Sequence, residues 1–175
     1  DDWWSADKLE ICSKYLDENL DLIHHELDLV YDQPNFFNRR HTRSRQLKPP
    51  VLKDLLVKGN AIVIATVVVR RRLLNKLGGI NEDKNMVASE DYNTWLRLAT
   101  LTDRFKYLPK SLGCYQIHSN AISQRDMSKS DYAAIAEFKN QLTGDQLCEA
   151  ESQLSYISGR FNYLKKEYAS AELAL

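Results

Sequence analysis

A chain of 175 residues with 43% hydrophobic and 27% charged side chains has the composition of an ordinary globular domain, with or without one appendage, and not of a disordered or fibrous chain. Its 24 Lys and Arg balance its 24 Asp and Glu, so net charge gives no pull towards nucleic acid, which is not an expected partner. No apolar run reaches the roughly 20 residues that span a bilayer, and the three widely spaced cysteines, Cys12, Cys114 and Cys148, form no ligand motif and read as reduced thiols of a cytoplasmic protein.

The chain starts on DDWWSADKLE, with no initiator Met and no leader, and reads as a fragment. Ser5 can cap a helix over Ala6–Asn19, with Leu9, Cys12 and Leu16 as its buried stripe and Asp7 in the first turn. Leu20 to Tyr31 reads as extended, with His24 on one face and His25 on the other, one towards the core and one towards solvent. Between Arg39 and Lys58 stand seven Lys or Arg against one acid, Asp54. A solvated basic loop is one reading; a mobile flap that meets a phosphorylated or otherwise anionic substrate is the other. Pro49-Pro50 leads into a helix over Val51–Val57, broken by Gly59-Asn60.

The β-branched run AIVIATVVV, Ala61–Val69, is the strongest strand signal in the chain and reads as buried on both faces. A short helix over Arg70–Leu77 is stopped by Gly78-Gly79. After a loop holding Asn81, Glu82 and Asp83 comes MVASEDYNTWLRLA, Met86–Ala99. Ser89 is the expected N-cap, Glu90 and Asp91 occupy the first turn, and Tyr92, Trp95, Leu96 and Ala99 recur at i, i+3, i+4 and i+7. The plain reading is a well-capped helix; the sharper one is a carboxylate held rigidly at the mouth of a site. Phe105–Leu108 and Leu112–His118 read as two strands joined by a turn at Pro109-Lys110-Ser111. A polar stretch, Ser119 to Ser130, then crosses the surface.

The remainder is helical. Ile135, Phe138 and Leu142 form one stripe, and Thr143-Gly144-Asp145 breaks and recaps the chain. Leu147, Ala150, Leu154, Ile157, Phe161, Leu164 and Tyr168 follow at heptad-type spacings. Such a seam suits an antiparallel hairpin packed on the parent domain, or a homodimer contact through the C-terminal helices.

Taken together, DDWWSADKLE, GNAIVIATVVVRRRLLNKLGGI, SEDYNTWLRLA and YQIHSNAIS occur in an order that resembles the C-terminal half of family 2 inverting glycosyltransferases of the GT-A fold. The resemblance covers roughly Asp1 to Ser123, and its motifs are specific jointly although each alone is weak. It implies an α/β architecture: a partial GT-A (nucleotide-diphospho-sugar transferase) fold without its N-terminal Rossmann-like half over residues 1–125, and a helical C-terminal extension over 126–175. It implies metal-dependent transfer of a sugar, with inversion, from a nucleotide-sugar donor to a glycan or lipid-linked acceptor, as in polysaccharide biosynthesis. Asp1 looks like the last Asp of the family's Asp-x-Asp metal motif and Asp2 like the residue after it, both towards the sugar nucleotide and its Mg²⁺ or Mn²⁺. Asp91 is the implied catalytic base, with Glu90 supporting it or contacting the acceptor. His118, closing Tyr-x-x-His, is the implied further ligand, its alternative being a hydrogen-bonded structural histidine.

The chemistry suits those roles. Inversion needs a base within about 2.6–3.2 Å of the acceptor hydroxyl, and a first-turn carboxylate is expected to stay ionised through the helix dipole. Oxygen ligands suit Mg²⁺ or Mn²⁺, and an imidazole tilts the choice towards Mn²⁺. With the donor-side half absent, the isolated polypeptide is expected neither to bind a sugar nucleotide tightly nor to turn over, and to expose the sheet edge or face where that half belongs. The basic segment and the C-terminal helices suggest peripheral association with a membrane holding a lipid-diphosphate acceptor. Two readings compete: a non-catalytic interaction module acting through the helical tail, and a metal-assisted hydrolase, which needs more ligands than Asp1, Asp2 and His118 offer.

Overall fold

Two long strands carry the fold in this computed structural model, which describes residues 2–16, 19–33, 36, 39–118 and 125–174. Strand β2 (Leu22–Tyr31) and strand β4 (Phe105–Ile117) run parallel along their length. The two-residue strand β1 (Trp3–Trp4) pairs antiparallel with β4, and β3 (Val68–Val69) pairs antiparallel with β2, giving a mixed sheet of order β1-β4-β2-β3. Around it lie helices α1 (Lys8–Ser13), α2 (Val51–Lys58), α3 (Arg71–Leu77), α4 (Glu90–Ala99), α5 (Ser128–Ile135), α6 (Gly144–Leu164) and α7 (Tyr168–Ala174). The protein is thus mixed α/β. Among the described residues no helix is long and apolar enough to cross a membrane.

Alternation along β2 sorts its side chains into two cores. Leu22 joins Leu55, Trp95, Leu96 and Ile135 in the larger cluster beneath α2, α4 and α5, whereas Ile23 joins Cys12, Leu108 and Leu112 in a smaller one beneath α1. The same alternation places His24 and His25 on opposite faces, but both are fully buried, so the expected solvent-side histidine does not exist. Both faces of this end of the sheet are covered. Burial pushes His24 down to about 4, with its His25 and Arg45 neighbours adding to the effect, so it is neutral at pH 7.

Several expected elements take another form. Of the helix expected over Ala6–Asn19, Lys8–Ser13 is helical and residues 14–16 are not, while 17 and 18 lie outside the described residues. The run Ala61–Val69 is not a buried strand. Ile64–Thr66 forms a 3₁₀ turn, and only Val68 and Val69 pair with β2. Two of its carbonyls accept from side chains instead of a neighbouring strand: Trp95 Nε1 donates to Ile62 O (3.3 Å), while Trp4 Nε1 and Lys8 Nζ donate to Ala65 O (2.9 and 2.8 Å). Conversely, the two strands expected around Pro109-Lys110-Ser111 are one strand. His25 is opposite Leu108 and Glu26 opposite Ser111, so a bulge absorbs Pro109 and Lys110, which lie between the paired positions.

The basic segment is anchored by its backbone to the edge of β2. Leu29 N–H donates to Arg40 O (2.8 Å) and Thr42 N–H to Leu27 O (3.0 Å), and His41 Nδ1 lies 2.9 Å from Asp28 Oδ1. Farther on, Arg45 and Lys58 pair with the buried Asp54. The expected stop of α3 is present: Gly78, at φ 75°, closes the helix in the left-handed conformation that glycine adopts without strain. At the C-terminus a Thr143/Gln146 capping box starts α6, which turns at Lys165–Glu167 into α7. All three cysteines are unpaired.

Candidate functional site

Helix α4 is fixed along its length by bonds from its buried side chains. Tyr92 Oη donates to Leu55 O (2.8 Å), Trp95 is buried against Ile62, and Asn93 Nδ2 donates to Ala134 O (3.0 Å) and Glu137 Oε1 (3.1 Å). These bonds tie α4 to α2 on one side and α5 on the other. The carboxyls of Glu90 and Asp91 therefore project from a rigid support, which is what positional precision requires.

Ser89 does not cap α4. Its hydroxyl makes no bond to the helix backbone; it donates to Asp131 Oδ1 (2.6 Å) and lies 3.0 Å from Ser130 Oγ. Helix α5 crosses the start of α4, and the buried serine satisfies the acid that arrives with it. Asp91 Oδ1 instead accepts from the Tyr92 N–H (2.6 Å), and the Asn60 side chain also hydrogen bonds to the Asp91 carboxyl. Glu90 Oε2 is buried with no hydrogen-bond partner.

Burial governs the electrostatics here. It is the largest cause that pushes Asp91 up to about 7; the neighbouring Glu90 and Asp131 add to the rise, and the Tyr92 N–H and Asn60 oppose it. Asp131 is pushed up to about 6 by burial and by Asp126, against the Ser89 hydrogen bond. The expectation that the dipole keeps Asp91 fully ionised is therefore overturned. A helix N-terminus supplies about 0.3–1 kcal/mol, under one pKa unit, and desolvation outweighs it. A carboxyl that titrates near neutrality can take up and release a proton, as a general base must.

Beside this cluster lies a cavity of about 130 Å³ between α2, α4, α5 and α6, with Lys58, Asn60, Tyr92, Asp131 and Gln153 among its walls. Asp131 faces it directly, and Asp91 adjoins it through Asn60 and Tyr92. Sequence reasoning missed Asp131, which reads as an ordinary first-turn acid after Ser128-Lys129-Ser130, and Asn60, which reads only as a helix breaker.

The other predicted residues gather at the far end of β4. The register Trp3↔Cys114 and Trp4↔Gly113 carries the chain start alongside the strand's end, and the Gln116 N–H donates to Asp2 Oδ1 (3.4 Å). His118, half-buried, follows directly after β4, so Asp2 and His118 share one edge of the sheet. Asp1 lies outside the described residues. Among the described residues no three His, Cys, Asp or Glu side chains stand close enough together to hold a metal ion. Glu90 and Asp91 thus sit at the head of a helix, and Asp2 and His118 at a strand end.

A second buried titratable group lies under β1. Lys8 is fully buried, its Nζ 2.8 Å from Ala65 O and 3.7 Å above the Trp4 ring, and burial lowers it to about 8. Its bonds are local and hold β1 against the 3₁₀ turn. No protein-family model matches the chain, and a search of curated proteins found no match.

Proposed function

We propose that the chain is the acceptor-side half of a metal-dependent inverting glycosyltransferase with Asp91 as its base. The observation that carries this reading is the Glu90-Asp91 pair on the immobilised first turn of α4, with Asp91 titrating near neutrality. On this reading an acceptor hydroxyl gives its proton to Asp91 as its oxygen attacks the anomeric carbon, and the bond to the nucleoside diphosphate breaks on the opposite face. Glu90 supports that carboxylate or meets the acceptor. Asp1, Asp2 and His118 are the proposed donor-side residues, with Asp1 and His118 holding Mg²⁺ or Mn²⁺, whose charge neutralises the leaving diphosphate when bound. On this reading the nucleotide is recognised by a donor-side half, and these 175 residues alone are expected not to turn over. A cytoplasmic setting, at or near a membrane that holds a lipid-linked acceptor, belongs to the same proposal.

One observation favours the second reading, an interaction module. Tyr156, Tyr163, Leu164, Tyr168 and Leu173 are exposed on the α6–α7 hairpin, an apolar surface suited to a partner or a second copy. A panel of nucleotide sugars and glycan acceptors separates the two. The transferase reading expects the complete gene product to release a nucleoside diphosphate, to stop in chelator and to resume with Mn²⁺. Absence of release with every donor, together with stable self-association or partner binding through the hairpin, decides for the module.

A further inference from the structure

A second charged feature stands away from the candidate site, where β2 and β4 begin. Arg70 N–H donates to Asp21 O and Asp21 N–H to Arg104 O (3.0 Å each), so these three residues form one more row beyond Val69, Leu22 and Phe105. The Asp21 side chain is 2% exposed. Its Oδ2 accepts from Arg104 Nε (2.8 Å) and Thr102 Oγ1 (2.8 Å), with Arg104 Nη2 at 2.7 Å. Its Oδ1 lies 3.2 Å from Arg72 Nη2, which comes from the first turn of α3, and 3.4 Å from Arg70 Nε. Helix α4 precedes Arg104 and β4 follows it, and each carries candidate site residues at its far end. Glu90 and Asp91 begin α4, ten residues and about 15 Å long, and His118 follows the last residue of β4.

We propose that Arg72 and Arg104, held in place by Asp21, form a binding site for a phosphate group, carried by a soluble phosphoester or by a phospholipid headgroup. Three guanidinium charges meet one carboxylate here, which leaves two in excess. The Arg72 and Arg104 side chains are 66% and 43% exposed, so the excess is presented to solvent. A phosphate monoester carries close to two negative charges at neutral pH and matches it, whereas a carboxylate supplies one. Each guanidinium offers five donors in a fixed fork that fits phosphate oxygens in pairs, and Arg72 gives one of its five to Asp21. Because the buried carboxylate already orients these arginines, an incoming oxyanion has less side-chain freedom to freeze. The acid beside Arg104 in the chain, Asp103, is turned away to the start of α2, where its Oδ1 accepts the Val51 N–H (2.6 Å). The site is separate from the Glu90-Asp91 pair and does not depend on the transferase reading.

Spectra of the arginine Nε–H groups in the whole chain, titrated with inorganic pyrophosphate at constant ionic strength, test this. Saturable shifts are expected at Arg72 and Arg104, and Arg72→Gln is expected to weaken the binding about tenfold. Flotation with vesicles of phosphatidylcholine, with and without phosphatidic acid, separates the two sources of phosphate. Retention on the phosphatidic acid vesicles that Arg72→Gln loses assigns the headgroup. Saturable pyrophosphate binding without that retention assigns the soluble phosphoester. Absence of both overturns the proposal, and so does binding that Arg72→Gln leaves at the parent strength. Should Arg72→Gln not fold, the parent decides alone, since saturable shifts confined to arginines other than Arg72 and Arg104 place the anion elsewhere and overturn it.

Discussion

Asp91→Asn removes a charge that the folded chain accommodates poorly, and its effect on stability should change with pH. Unfolded, the carboxyl ionises near its ordinary 3.8; folded, burial and its acidic neighbours hold the proton until about 7. Below the unfolded value both states are protonated. Between the two values only the unfolded state has released the proton, so stability falls as pH rises; above about 7 the loss is complete. At about 1.4 kcal/mol per unit the whole cost is on the order of 4 kcal/mol, of which about 2–3 kcal/mol develops between pH 5 and pH 8. Asparagine carries none of it. Asp91→Asn is therefore predicted to gain about 2–3 kcal/mol relative to the parent on going from pH 5 to pH 8. Urea unfolding at the two pH values, followed by fluorescence of the buried Trp95, reads the difference. An equal effect at both pH values, or a relative loss at the higher one, would refute the claim that Asp91 is protonated by burial.

Three further outcomes follow from the geometry. A Cβ on Gly113 would stand 2.5 Å from Trp3 O and 3.1 Å from Leu27 Cδ2, so Gly113→Val should lift β1 from β4 at a cost of about 1–3 kcal/mol. Hydrogen exchange then quickens at the Ser5 amide, bonded to Leu112 O, but not at the Asn93 amide in α4; unchanged exchange at Ser5 contradicts the pairing. Asp21→Ala leaves Arg70, Arg72 and Arg104 gathered around a missing carboxylate and should cost about 3 kcal/mol in denaturant unfolding at neutral pH, whereas a cost under about 0.5 kcal/mol would show the cluster to be energetically idle. Ser89→Ala, which removes a bond to Asp131 and not a helix cap, should loosen α5 more than α4, as amide exchange in the two helices would report; preferential fraying of α4 would restore Ser89 to the capping role.

Helix signals carried by local chemistry were legible: the glycine stop of α3, the stripe of α4 and the Thr143-Gly144 start of α6 all lie where periodicity and capping place them. What failed depended on distant partners. The β-branched run Ala61–Val69 is a strand in its composition, but Trp4, Lys8 and Trp95 reach its carbonyls from elsewhere and leave it irregular. Pro109 looks like a turn until a bulge against β2 absorbs it. His25 looks half-exposed until α1 covers the second face of the sheet. The site divides in the same way. Glu90 and Asp91 could be picked out from their place in a first turn, but Asp131, about forty residues away, meets Ser89 at the head of that helix only through tertiary packing and leaves no pattern of its own in the chain.

The central claim, that Asp91 is the base of a sugar transfer, is tested most directly by the pH dependence of kcat/KM in the complete gene product. A base must be ionised, so the parent rate is predicted to rise through about 7, and Asp91→Asn to lose that limb together with about 10²–10⁴ of the rate while its far-UV spectrum is unchanged. Transfer by Asp91→Asn at the parent rate, with the same pH profile, would contradict the account.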